Sequence, residues 1–194
     1  YAPTLANADL PNHYFPPNAR RYTYRYFMSL TLYSHPFSSY CQKVLVALYE
    51  NEFEFEYRTL EDPSAMAELK ARWPFARFPV LVDDGQTVVE STIIIEHLML
   101  RHGGRVRWLP EDPQAALEVR FLDRFFDNDV MTAMQKPVFA AIKQDAARKD
   151  EAMVEASRAL DLAYGWLEQR LHGRTWAAGE NLSLADCAAA PSLF

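Results

Sequence analysis

The chain has 194 residues, enough for one large domain or two small ones, and its 49% hydrophobic and 24% charged residues are those of an ordinary globular protein. A net charge of −6 argues against nucleic acid or an anionic membrane as the main partner, and no apolar run approaches the ~20 residues that span a bilayer. The two cysteines, Cys41 and Cys187, lie far apart and read as reduced thiols of a cytoplasmic protein rather than a disulfide framework.

Residues 1–27 are rich in Pro, Asn and Tyr, with no apolar stretch of the kind that directs secretion. They read as a leader or tag outside the fold, and Met28 stands where an initiator would fit. Leu30 to Tyr33 then reads as a short apolar strand entering a polar loop, and Val44, Leu45 and Leu48 recur beyond it at helical spacing. Ser38 and Ser39 fall where the N-cap of that helix belongs. A helix start presents unpaired N–H groups and the positive end of a dipole. It therefore holds anions, and it favours a neighbouring thiolate by a few tenths to about 1 kcal/mol.

Phe53 to Arg58 alternates apolar and polar residues, a half-buried strand, and Pro63 opens a short helical or irregular segment to about Trp73. Phe78-Pro-Val-Leu-Val82 is a strand that Pro79 can only begin, since proline cannot donate within a sheet. Asp83-Asp-Gly85 supplies the turn of a hairpin into Thr87 to Glu90. Ser91 is expected to cap a helix from Thr92 to about His102, closed by Gly103-Gly104. The order β-α-β-α-β-β-α predicts a thioredoxin-like layer over residues 28–104.

Residues 105–113, with two prolines and no periodicity, read as a linker. Residues 114–194 read as an all-helical domain that is incomplete, because Phe194 stops inside an apolar helical pattern. Within it, Pro137 predicts a kink in the tract from Gln114 to Lys149. Met153, Ala156, Leu160, Ala163, Leu167 and Leu171 form one apolar stripe. Ser183-Leu-Ala-Asp186 is a capping-box variant ahead of a buried helix.

A small βαβαββα domain, a linker and an all-helical domain in this order resemble the cytosolic glutathione transferase superfamily, with a bacterial-type, serine-class-like site. In the serine and cysteine classes the active residue stands six positions before an apolar residue of the first helix, as Ser38 does before Val44. A proline opens the third strand, as in Phe78-Pro79-Val-Leu. An acid–serine pair that anchors glutathione precedes the third helix, as Glu90-Ser91 does, with Thr92-Ile-Ile-Ile95 following. Two departures stand beside these matches. Pro74-Phe-Ala-Arg-Phe-Pro79 replaces the usual Pro-x-Gly-Lys-Val-Pro. Ser38-Ser39-Tyr40 replaces the Ser-Ser-Cys of zeta-like classes, so the maleylacetoacetate isomerases are not assigned.

The resemblance implies a glutathione-dependent enzyme that attacks a small hydrophobic electrophile, or performs a related substitution or isomerisation, and usually forms a homodimer. It implies Ser38, with Ser39 as second choice, as the hydroxyl that holds the glutathione thiolate. It implies a cis Phe78–Pro79 bond presenting the backbone of Phe78 to the cysteinyl part of glutathione. Ser91 would take the γ-glutamyl carboxylate, and Glu90 the ammonium. The rivals are a thiol reductase working through Cys41 and a non-catalytic binding module. Ser-Ser-Tyr-Cys41 looks like a Cys-x-x-Cys motif that has lost its attacking cysteine, which disfavours the reductase. His35, beside Pro36, is a candidate donor that local sequence reads as solvated. The five histidines show no metal-ligand spacing beside paired cysteines, so no metal is expected. Phe121, Phe125 and Phe126 read as core.

Overall fold

The computed structural model describes residues 29–144 and 146–193. The expectations for residues 1–27, Met28 and Phe194 lie outside the described residues. Four strands, β1 (Leu30–Ser34), β2 (Glu56–Thr59), β3 (Val80–Asp83) and β4 (Gln86–Val89), form one sheet in the order β2-β1-β3-β4. β1 runs parallel to β2 and antiparallel to β3, and β3 and β4 form the expected hairpin. Interleaved with them are α1 (Ser39–Glu50), α2 (Pro63–Arg72) and α3 (Ser91–His102), which is the predicted order.

The period-two pattern of the strands sorts their side chains between two layers. Leu30, Leu32, Leu81 and Val88 face the main core with Val44 and Leu48 of α1 and Ile94, Ile95 and Leu98 of α3. Tyr33, Val80 and Val82 face the other way, onto Ala65 and Leu69 of α2. α2 starts where Asp62 accepts the Ser64 N–H and Pro63 supplies a preset first turn. β2 lies later than the alternation suggested, because Phe53 and Phe55 pack on the main core ahead of the paired segment.

The segment read as a linker is anchored. Trp108 is fully buried, Leu109 nearly so, and the Trp108 carbonyl accepts the Leu184 N–H at 2.9 Å. A Cβ on Gly104 (φ +127°) would stand 2.5 Å from the Asn51 side chain, so the chain leaves α3 through a position only glycine fits.

Beyond it lie α4 (Pro113–Phe125), a π-turn (Phe126–Met131), α5 (Thr132–Ile142), α6 (Ala146–Leu171) and α7 (Leu184–Leu193). The helix does not break at Pro137. The helical ladder changes at the π-turn six residues earlier (131 against 137), and α5 runs on through Pro137 to Ile142. The α6 stripe is buried at Ala156, Ala163 and Leu167 and half-buried at Leu160 and Leu171, but Met153 is 52% exposed, beyond the reach of the core. Phe126 is core and Phe125 packs beside it, whereas Phe121 is half-exposed and meets Trp166 edge-on. The Asp186 half of the capping box forms: Asp186 Oδ2 accepts from the N–H and the hydroxyl of Ser183, both at 2.8 Å. Its Oδ1 takes the Ala177 N–H at 2.7 Å, tying the preceding loop to α7. No helix among the described residues is long and apolar enough to cross a membrane.

Candidate active site

The starts of α1 and α3 open on one cleft of about 1200 Å³, walled on the far side by α4, the π-turn and α5. Ser38, Phe78, Pro79, Glu90 and Ser91 all line it. Ser39 is not among the lining residues, and its hydroxyl is buried without a hydrogen-bond partner. The Phe78–Pro79 bond is cis, as the resemblance implies.

The two helix starts differ. Ser38 caps α1 in extended conformation, and its Oγ accepts the Cys41 N–H at 3.3 Å. The cap position of α3 is Glu90, not Ser91 as the sequence suggested. Ser91 is the first helical residue, while Glu90 sits at φ 69° with no side-chain cap. The orphan N–H groups of that first turn have no side chain to satisfy them, which suits an anionic ligand group.

Cys41 is fully buried one turn inside α1, its sulfur accepting the His35 N–H at 3.4 Å. Burial pushes its thiol up, only partly offset by hydrogen bonds from Ser34, Ser38 and the His35 backbone. Cys187 is raised further, again by burial, and both cysteines are free. Neither resembles a poised nucleophile. The Ser38 hydroxyl therefore chooses between a neutral Cys41 thiol and whatever occupies the cleft, and a thiolate is the stronger acceptor. His35 lines the cleft stacked 5.9 Å from the Phe78 ring, and its Nδ1 accepts the Phe37 N–H at 3.2 Å.

Sequence reading missed the charged floor of the site. Lys43 of α1 is 1% exposed and reaches across to α4 and the π-turn, 2.5 Å from Asp123 and 2.7 Å from Asp127. It also donates to Thr92 in the first turn of α3 at 2.9 Å, and Thr92 donates to Asp123 at 2.9 Å. Arg124 adds contacts of 2.7 Å to Asp123 and 2.9 Å to Asp127. Burial raises the Asp127 carboxyl, with Asp123 adding to the rise and Lys43 and Arg124 opposing it. Tyr40 lines the cleft beside this group, its phenol raised by burial and by the Asp127 charge. One signal was present: Asp123 and Asp127 stand at helical spacing among Leu122, Phe125 and Phe126, carboxylates on an otherwise apolar face. Such acids need a buried cation, and Lys43 beside Val44 supplies it.

The outer end of the cleft is apolar, with Trp73, Val138, Phe139 and Ile142 on its walls and Arg77 at its rim. The arrangement can hold a peptide-like anion along the two helix starts, stabilise a thiolate at Ser38, and lodge an apolar partner against α5.

Comparison with known proteins agrees with this geometry. Residues 32–106 match the family described as "Glutathione S-transferase, N-terminal domain", and residues 130–194 match "Glutathione S-transferase, C-terminal domain". The chain is similar to a "Probable maleylacetoacetate isomerase" of Caenorhabditis elegans, 28% identical over 170 residues, covering 84% of this chain and 77% of that one. It is also similar to "Glutathione transferase GST 23" of Zea mays, 33% identical over 134 residues, which covers 69% of this chain and 57% of the maize protein. Among solved structures, a glutathione S-transferase from Methylobacillus flagellatus with glutathione bound has a TM-score of 0.70 at 28% identity, over 85% of this chain and 81% of that one.

Proposed function

The chain belongs to the glutathione S-transferase family, and on that premise we propose that it binds glutathione in this cleft and activates its thiol for attack on a small hydrophobic electrophile. The observation that carries the reading is the convergence of Ser38, Ser91 and the cis Phe78–Pro79 bond on one cleft. Glutathione's thiol has a pKa near ~8.5, so most of it is protonated at neutral pH. Ser38, at the positive end of α1, donates to the sulfur and favours the thiolate. Ser91 and the open N–H groups of α3 take the γ-glutamyl carboxylate, Glu90 takes the ammonium, and the backbone of Phe78 meets the cysteinyl unit. The electrophile lies against Val138, Phe139 and Ile142. Likeness to a protein named as an isomerase supports a second use of the same thiolate, adding to and leaving an unsaturated acid. Burial of Cys41 disfavours the thiol-reductase rival.

The chain is further proposed to act in the cytoplasm as a homodimer. Ile93 and Leu100 of α3 and Leu117 and Phe121 of α4 are exposed apolar residues on two helices bridged by Arg120 and Glu96, and they support a self-association face.

The deciding experiment is a glutathione titration followed by thiolate absorbance, run beside turnover of a panel of aromatic and unsaturated electrophiles. Binding with a depressed thiol pKa and turnover supports the reading. Binding without turnover of any electrophile favours a non-catalytic module, and disulfide reduction abolished by Cys41→Ala favours the reductase.

A further inference from the structure

Away from the cleft, the described residues hold one group of metal-ligand side chains: Asp83, His97 and His102, with ligand atoms all within 4.8 Å of one another. Asp83 ends β3, and its side chain is fully buried. Its Oδ2 meets His97 Nε2 at 2.7 Å, His102 Nε2 at 2.8 Å and Arg101 Nε at 3.1 Å. Its Oδ1 is buried and has no hydrogen-bond partner. That open oxygen belongs to the same carboxylate as the one facing the two imidazole nitrogens, so an ion drawn to Oδ2 also comes within reach of Oδ1 and offsets the cost of leaving it buried and unpaired.

We propose that Asp83, His97 and His102 form a binding site for a divalent transition metal of the zinc class, separate from the glutathione cleft. Two imidazole nitrogens and one carboxylate are a borderline donor set that suits such ions, and three protein ligands leave a fourth position for water. Tetrahedral coordination at about 2.0–2.1 Å spaces ligand atoms about 3.4 Å apart, so the present contacts open by roughly 0.6 Å when the ion enters. Each imidazole gives up the Nε2 hydrogen it now donates. A neutral ring moves that proton to Nδ1 by exchange with solvent, and a charged ring releases it to solvent and keeps the one on Nδ1. Phe53 packs edge-on against His102 with ring centres 6.1 Å apart, which fixes that ring.

Arg101 is the opposing element. Its guanidinium competes for the oxygen the metal needs, but it is half-exposed and also reaches Asp84 at 3.6 Å, so it can withdraw onto that neighbour. The ion would pin the last turn of α3 to the end of β3. Along the same helix, at 1.5 Å per residue, Ser91 lies about 9 Å from His97 and about 16 Å from His102. The ion therefore touches no glutathione-binding residue.

The test uses the whole chain, stripped with a chelator and titrated with Zn²⁺ by calorimetry and with Co²⁺ by visible absorption. The expected result is one ion per chain with a Kd of about 1 µM or tighter, a raised Tm and the absorption bands of four-coordinate cobalt. His97→Ala and His102→Ala should each weaken binding at least tenfold, whereas Cys41→Ser, Cys187→Ser and His172→Ala should match the parent. Arg101→Ala should tighten it several-fold, an effect that a merely structural hydrogen-bond cluster would not produce. Circular dichroism confirms that each variant folds, and if a histidine variant does not, the Arg101→Ala result decides. A Kd weaker than about 100 µM, stoichiometric binding that survives both histidine variants, or no tightening in Arg101→Ala overturns the proposal.

Discussion

The starts of α1 and α3 face the same cleft and each brings a serine to it, yet they are built oppositely. α1 is capped: Ser38 spends its acceptor on the Cys41 N–H and keeps one hydroxyl hydrogen for a ligand. α3 is uncapped: Glu90 is held at positive φ and the first N–H groups have no side-chain acceptor. A helix end satisfied by its own serine can only add one directed bond, whereas an end left open presents an array of donors. The first arrangement suits chemistry at a single atom, and the second suits holding a carboxylate. Lys43 ties the two together, since it rises from α1 and bonds Thr92 at the start of α3.

The largest effect should come from breaking that tie. Lys43→Met leaves Asp123 and Asp127 buried without their central cation, and losing one partner of such a group costs about 3–5 kcal/mol. Urea denaturation should show a loss of unfolding free energy approaching that size, with Arg124 giving partial relief. A change below about 1 kcal/mol would mean the two helix starts are positioned independently.

Next is the directed bond. Ser38→Ala should lower kcat/KM by about 1.5–3 kcal/mol, roughly ten- to a hundredfold, and raise the thiol pKa of bound glutathione. It should also cost about 1 kcal/mol of stability through the lost cap. Ser39→Ala, whose hydroxyl does not line the cleft, should leave activity unchanged, and the pair measured together shows which serine acts.

Smaller is the effect of weakening the holding site. Ser91→Ala removes a contact remote from the sulfur, felt equally in ground and transition states. KM for glutathione should rise about tenfold with kcat nearly constant. A fall in kcat alone would erase the contrast between the two helix starts. Smallest is Cys41→Ala: with its thiol buried and raised, activity should stay within about twofold while Tm falls modestly.

Much of this was legible from local sequence. The order of elements along the chain, the hairpin and the capping acid Asp186 each rest on short-range chemistry, which single residues announce. Five of the six candidate site residues reach the cleft for the same reason, since they sit at element junctions. What was hidden is long-range. Lys43 and the pair Asp123–Asp127 lie 80 and 84 residues apart, and nothing local tells a lysine that it will be buried (123 − 43 and 127 − 43). Asp83 likewise gains His97 and His102 only once α3 folds back along β3. Pro137 did not end its helix: α5 runs through it to Ile142, and the ladder changes earlier, at the π-turn.

The π-turn acts as a phase shifter. Closing one turn with an extra residue sets everything downstream back by about 100° of rotation. Upstream of it the helix reads inward with Val119 and Leu122, and downstream it offers Gln135, Val138, Phe139 and Ile142 to the cleft. Adding or removing one residue between 126 and 131 would thus rotate this wall of the cleft as a block, while Lys43 keeps its grip on Asp123 upstream. On the proposed reading, substrate range would be adjustable by indel, one residue at a time, without rebuilding the half that faces glutathione.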